Sequence, residues 1–166
     1  IMNFKEIYTL SHKINFEKKY PLAYQSGHWF APALPKYKTA NGLSTYCCNV
    51  FNWNGHHLER TNNMGRPIKR KIEKFNILTS KVELLDNGIE WQKGTGTKGT
   101  SDLKGHFVSK KHRFPIPVYI EIKIKKDRMS DDQKKYEETI NKSGAIYHVV
   151  KTPEDLIEFY NHLQSI

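Results

Sequence analysis

With 166 residues the chain has the length of one domain. Its 37% hydrophobic and 12% aromatic content suits a packed core rather than a disordered tail. Its 27 Lys and Arg against 17 Asp and Glu leave a net charge of +10, which favours a polyanionic partner such as nucleic acid, because each cation that meets a phosphate releases counterions. No apolar run approaches membrane-spanning length, and Lys5 and Glu6 interrupt the first apolar residues, so neither a membrane partner nor a secretory leader is expected.

Residues 1–38 form a stretch of their own, an amino-terminal arm or extension. Pro21, Pro32 and Pro35 punctuate an aromatic run (Tyr20, Tyr24, Trp29, Phe30, Tyr37) that packs over a core or offers ring faces to bases. The main domain then spans 39–166. From Asn41 to Trp53, Leu43, Tyr46, Cys47, Val50 and Phe51 recur at helical spacing, and Asn54-Gly55 ends the helix. The adjacent Cys47 and Cys48 offer neither a comfortable disulfide nor a CxxC metal pair, so reduced thiols and an intracellular, cytoplasmic setting are expected.

A basic run through Lys69, Arg70, Lys71 and Lys74 follows. Val82–Leu85 and Ile89–Trp91 flank Asp86-Asn87-Gly88, which reads as a hairpin turn. Gly94 to Gly99 is a loop and Ser101–Val108 suits a strand. Val118–Ile124 is the clearest strand: Val118, Ile120, Ile122 and Ile124 point one way, Tyr119, Glu121 and Lys123 the other. Ser130-x-x-Gln133 opens a capped helix, Ala145–Val150 is a short strand, and Thr152-Pro153 starts a last amphipathic helix. The order predicts an α/β fold.

Three acid and base groups in this frame suggest chemistry. Asp102 follows a glycine-rich turn, while Glu121 and Lys123 share one strand face. Hard cations take oxygen ligands from one or two carboxylates and leave positions for water and phosphate. Asp102, Glu121 and the backbone carbonyl of Ile122 are therefore the candidate ligands of a divalent cation, and Lys123 is placed to hold a phosphate or a water. A charged, solvated strand face is the plain alternative for Glu121 and Lys123. Gln133 closes the Ser130 capping box, and its position on the inward face with Tyr136 and Ile140 also lets it orient a water or phosphate.

Other motifs fail on context. Gly94-x-Gly96-x-x-Gly99 precedes a strand, not the helix that a dinucleotide fingerprint requires, and Thr100 stands where a phosphate-loop lysine should be. His56 and His57 diverge on a strand and lack a third ligand at zinc spacing.

Gly99-Thr100-Ser101-Asp102, Tyr119-Ile120-Glu121-Ile122-Lys123, Ser130-x-x-Gln133 and Gly144-Ala145-Ile146-Tyr147 together resemble the VRR-NUC branch of the PD-(D/E)XK nucleases, as does Arg60-x-Asn62-x-x-Gly65 upstream. The resemblance runs from about residue 41 to the end. It implies a restriction-endonuclease-like core, with a mixed central sheet flanked by helices in the order α-β-β-β-α-β-α. It also implies Mg²⁺- or Mn²⁺-dependent cleavage of DNA, often branched or Holliday-junction-like, by an enzyme of the kind found in phages and bacteria. Asp102 and Glu121 become metal ligands, Lys123 the catalytic lysine and Gln133 the helix glutamine. One departure stands out. The family's glutamate near the start of the first core helix has no counterpart beside Asn41, Gly42 and Ser44. Asn41 is the candidate neutral ligand there, with Glu17 and Glu59 as alternatives. Arg60, Asn62, Arg66, Lys69, Arg70 and Lys98 are candidates for DNA backbone contact, and Lys110, Lys111 and Arg113 for contact further along. A homodimer would suit paired nicking of a symmetric junction. The competing reading is a nucleic-acid-binding protein on a decayed nuclease fold, for which the missing acid is the best support.

Overall fold

A computed structural model describes residues 3–61, 66–76, 78, 80–92, 96–109, 111 and 114–166. In chain order its elements are α1 (Phe4–Lys19), α2 (Pro21–Gln25), α3 (Ala40–Trp53), β1 (His57–Arg60), β2 (Arg66–Asn76), β3 (Lys81–Gln92), β4 (Leu103–Phe107), β5 (Ile116–Ile122), α4 (Asp131–Lys142), β6 (Ile146–Val150) and α5 (Pro153–Ser165). They divide into two units, Ile1–Thr61 with Lys98–Ile166, and Asn62–Thr97.

The first unit carries a four-stranded sheet in the order β1-β4-β5-β6. β4 is antiparallel to both neighbours, whereas β6 runs parallel to β5. A parallel neighbour needs a crossover, and α4 supplies it. From α3 onward this unit reads α-β-β-β-α-β-α, the order that the resemblance implies. The first of the three strands is β1, a four-residue element too short to stand out in the sequence.

Period-2 alternation sorts the sheet's two faces. Val118, Ile120 and Ile122 are buried with Leu43, Tyr46, Val50 and Phe51 of α3 and with Leu156, Phe159 and Leu163 of α5. On the opposite face Tyr136 of α4 packs edge-on against Tyr119 and Tyr147. The predicted core helix is α3, capped by Thr39 and closed at Asn54, with Gly55 at φ 83°. Cys47 is buried and Cys48 half-buried, both free. Burial pushes both thiols up, Cys48 to about 11, so neither is a nucleophile near neutral pH.

One local reading of the sequence gains detail and another is corrected. The amino-terminal stretch contains a 16-residue helix, α1. Its signal is the Asn3-x-x-Glu6 capping box: Asn3 Oδ1 accepts from the N–H groups of Lys5 and Glu6, and Glu6 Oε2 accepts from the Asn3 N–H. Tyr8 of that helix stacks on Tyr46, and the Tyr46 hydroxyl donates to the Phe4 carbonyl, so α1 packs on α3.

The correction concerns Asp86-Asn87-Gly88, which is not a hairpin turn. It lies inside β3, where Lys69 pairs with Ile89 and Lys71 with Asp86, so β3 holds one residue more than β2 across the gap. That is a β-bulge, and the φ of 83° at Gly88 makes it possible. The reversal falls between Asn76 and Lys81 instead, with Ser80 at φ 51°. The basic run 69–74 is thus strand β2 of a separate two-stranded ribbon.

Candidate active site

On a half-wet strand the Glu121 face would be solvated. Here Glu121 is 1% exposed and Lys123, just past the end of β5, is 7%. Taking such charges out of water is costly unless each has partners, and the cluster provides them. Lys123 Nζ lies 3.0 Å from Glu121 Oε1 and 3.4 Å from Asp127 Oδ2, and it donates to Gln133 Oε1 at 3.1 Å. Gln133 Nε2 donates to Glu121 Oε1. The Tyr147 hydroxyl donates to Glu121 Oε2 at 3.3 Å. Gln133 Oε1 also accepts from the Ser130 N–H at 2.9 Å, so one amide both caps α4 and binds the acid–lysine pair. The capping role read from the sequence is realised, and the same side chain also meets the acid–lysine pair.

Asp102 joins from the neighbouring strand. Leu103 pairs with Ile120, which sets the residue before it beside Glu121 and Ile122, and Asp102 Oδ2 accepts from the Ile122 N–H at 2.9 Å. The Asp102 carbonyl is held in turn by the Thr61 N–H at 2.8 Å. The turn leading in is pressed against α4. Gly99 has φ 76°, and a Cβ there would lie 2.7 Å from Gln133 N and closer still to the Asp132 carbonyl. A side chain at 99 would wedge apart the two segments that deliver Asp102 and Gln133.

Electrostatics follow from this crowding. Burial raises the Glu121 carboxyl above its ordinary range. The Asp102 charge adds to that, and together they outweigh the bonds from Lys123 and Tyr147. Burial alone would lower Lys123, but Glu121 and Asp127 more than compensate, and its ammonium is held above the usual lysine range. Burial first, then Glu121, pushes the Tyr147 hydroxyl far up, so it stays protonated and keeps its donor role to Glu121. A pair of close carboxylates, one of them raised by the other's charge, is a donor set that a hard cation relieves. Asp102 Oδ1 has no hydrogen-bond partner among the described residues, which suits an outward ligand position. Asp102 and Glu121 therefore fit a Mg²⁺-like ion, although no group of three or more His, Cys, Asp or Glu converges on one point among the described residues.

The remaining candidates each have their own surroundings. Asn41, in the first turn of α3, is engaged by Arg60: Nη1 donates to Asn41 Oδ1 at 3.3 Å, and Nη2 to its carbonyl at 2.5 Å and to Thr45 Oγ1 at 2.9 Å. Glu59 is exposed and lies 3.7 Å from Lys104, and Glu17 is exposed on α1. Lys98 is exposed ahead of Gly99, and Lys111 Nζ donates to the Ser165 carbonyl at the end of α5, 2.6 Å away. In the ribbon Lys69 is exposed, Arg66 opens β2, and Arg70 Nε pairs with Glu90 at 2.5 Å. Asn62, Lys110 and Arg113 lie outside the described residues. His56 and His57 diverge as expected. The His56 ring lies on Phe107 and bonds the Tyr160 hydroxyl and the Val108 N–H, and His57 stays exposed.

Sequence reasoning missed two members of the cluster. Tyr147 stands opposite Tyr119 in the parallel β5–β6 pairing, and so shares the face of Glu121; parallel register was the signal. Asp127 reaches Lys123 through the turn in which Lys125 takes φ 54°, and no sequence pattern marks it.

The VRR-NUC domain model matches residues 35–153, well over half of the chain. The chain belongs to the VRR-NUC family. Asp102, Glu121, Lys123 and Gln133, the four residues of the cluster singled out from sequence, all fall inside the matched span. Membership makes the chain a nuclease-domain protein of restriction-endonuclease-like fold, in a family that acts on DNA. No curated protein and no solved structure matches this VRR-NUC chain. No helix among the described residues is long and apolar enough to cross a membrane.

Proposed function

We propose that the protein is a divalent-metal-dependent DNA endonuclease that hydrolyses phosphodiester bonds, with branched DNA as its preferred substrate. Asp102 and Glu121 would hold a Mg²⁺ or Mn²⁺ ion, with the Ile122 carbonyl as a neutral oxygen beside them; Asn41 would join only by giving up its bonds from Arg60. When bound, such an ion supplies Lewis-acid polarisation of phosphate and water. Lys123 does the positioning. Its ammonium, fixed between Gln133 and Asp127, faces the place where a water or a phosphate oxygen must sit and stabilises the charge that gathers there as the P–O bond breaks. Gln133 keeps that lysine and Glu121 in register, and Tyr147 fixes the second oxygen of Glu121. Arg60, Asn62, Arg66, Lys69, Arg70 and Lys98 would grip the backbone, with Lys110, Lys111 and Arg113 further along. Residues 1–38 are read as an extension of a nuclease domain spanning 39–166, working as a homodimer in the cytoplasm on symmetric junctions.

The observation that carries this reading is the burial of Glu121 and Lys123 in one hydrogen-bonded cluster at Asp102. A merely amphipathic strand would not bury that pair. A second reading, DNA binding without cleavage, is favoured by the lack of a third acid among the described residues. Incubation with duplex and four-way-junction DNA in Mg²⁺, Mn²⁺ or EDTA separates them. Cleavage in either metal and none in EDTA is the expected result. Bound DNA left intact in both metals would hand the case to the second reading.

A further inference from the structure

A cavity of about 840 Å³ opens beside Lys123, between the segment that follows β5, the outer strand β6 and α5. Ligand pockets for small molecules span roughly 300–1,000 Å³, and this one is built for a particular chemistry. Its floor is aromatic: the His148 ring lies flat on the buried Phe159 ring, centroids 4.1 Å apart and planes within 5°. Met129 and Ile146 line the cavity together with both rings of that stack. Arg128 and Lys151 stand exposed on its rim with no ion pair among the described residues.

Most of the acids at the cavity are already engaged. Asp127 pairs with Lys123, and Asp155 Oδ2 accepts from the N–H groups of Lys151 and Thr152 to cap α5. Glu158 remains as an acceptor. The backbone contributes as well. Among the described residues β6 pairs only with β5, and the Tyr147 N–H turns away from that pairing to Asn141 Oδ1 at 3.1 Å. Two residues on, the Val149 N–H points to the same open edge, where Val149 lines the cavity.

We propose that this cavity receives one unpaired nucleotide of the DNA next to the scissile phosphate. Its base stacks on His148, and its phosphate is held by Arg128, Lys151 and the Val149 amide. This rests on the DNA-cleaving reading above and deepens it. A base held in a duplex reaches such a floor only after unstacking, whereas a nucleotide at a branch point arrives already free. The cavity would thus be the source of preference for branched over continuous duplex DNA.

The binding arm of the test needs no cleavage. In EDTA, the full chain is titrated onto DNA carrying 2-aminopurine, either unpaired at a branch point or paired within a duplex. A saturable fluorescence change for the unpaired base alone is expected. The surface variant Arg128→Ala/Lys151→Ala should bind the branched DNA about tenfold or more weakly, in line with the loss of a stacked, phosphate-anchored nucleotide. His148→Leu should remove the fluorescence change. Equal responses from paired and unpaired probes, or an Arg128→Ala/Lys151→Ala response equal to wild type, would overturn the proposal. In a parallel arm with Mn²⁺, the double variant should cut fully paired duplex at the wild-type rate and lose the excess rate on branched DNA. If wild type binds as expected yet cuts nothing, the cleavage reading fails and the nucleotide site stands. If both proteins cut every substrate alike, the site fails and the cleavage reading stands.

Discussion

Gly99→Ala tests how the two halves of the site are held together. At φ 76° an L-residue pays about 1–2 kcal/mol for the left-handed conformation alone. The new methyl would also sit 2.7 Å from Gln133 N, where ordinary contact begins near 3.4 Å, so the turn and the first residues of α4 must part by roughly 0.7 Å or more, and overpacking of that kind costs a further ~1–3 kcal/mol. Gly27→Ala is the control. It shares φ 76° but has nothing within 4 Å, so it pays only the conformational part. For a chain of this size each kcal/mol moves the melting point by about 2–4 °C. Gly27→Ala should therefore lower Tm by about 2–8 °C and Gly99→Ala by about 4–20 °C. DNA cleavage should also separate them: Gly27→Ala stays at the wild-type rate, while Gly99→Ala loses about 100-fold through displacement of Gln133 and Lys123. Paired thermal melts and cleavage time courses read both. Equal Tm values for the two variants, with full activity in Gly99→Ala, would refute the claim that this contact sets the geometry of the site.

Lys123→Met should abolish cleavage while leaving DNA affinity within about twofold, since the lysine acts at the reacting phosphate rather than along the backbone; equal cutting by the variant and wild type would remove its role. DNA affinity should fall by roughly 10³ or more between 50 and 200 mM salt if six or more of the basic side chains meet phosphates, as read by fluorescence anisotropy, and a flat salt response would contradict that contact set. Acid stability should track His56, whose ring burial and the nearby His106 lower its pKa from 6.5 to about 4. The folded state then resists a proton that the unfolded state takes up, so stability is full above pH 6.5, falls by up to about 3 kcal/mol as the pH drops to 4, and levels off below. Urea titrations across that range should show a shallower fall in His56→Gln than in wild type, and parallel slopes would contradict the assignment.

Much of the core was legible because its signals are local. The apolar period of α3, the alternation in β5, and the Ser130 and Thr152 caps each place an element within a residue or two of where it stands. The site was partly legible for the same reason: Glu121 and Lys123 share a strand face, and Gln133 sits at a fixed step from a cap. Their burial was not legible, because it depends on α4 folding over β5 and on Tyr147 arriving through a parallel pairing. The hairpin misreading has a similar origin. Asn-Gly marks a backbone that needs positive φ, and a turn and a bulge make the same demand. Only the register with β2 decides between them. Asn3-x-x-Glu6, by contrast, was a readable capping box overshadowed by the prolines that follow it.

The central claim is that Asp102 and Glu121 form one ion-binding pair. Mn²⁺ titration by calorimetry, on wild type, Asp102→Asn and Glu121→Gln without DNA, tests it most directly. Wild type should show a Mn²⁺ site that either substitution weakens by about tenfold or more. Undiminished Mn²⁺ binding in either variant, with both proteins folded, would contradict it.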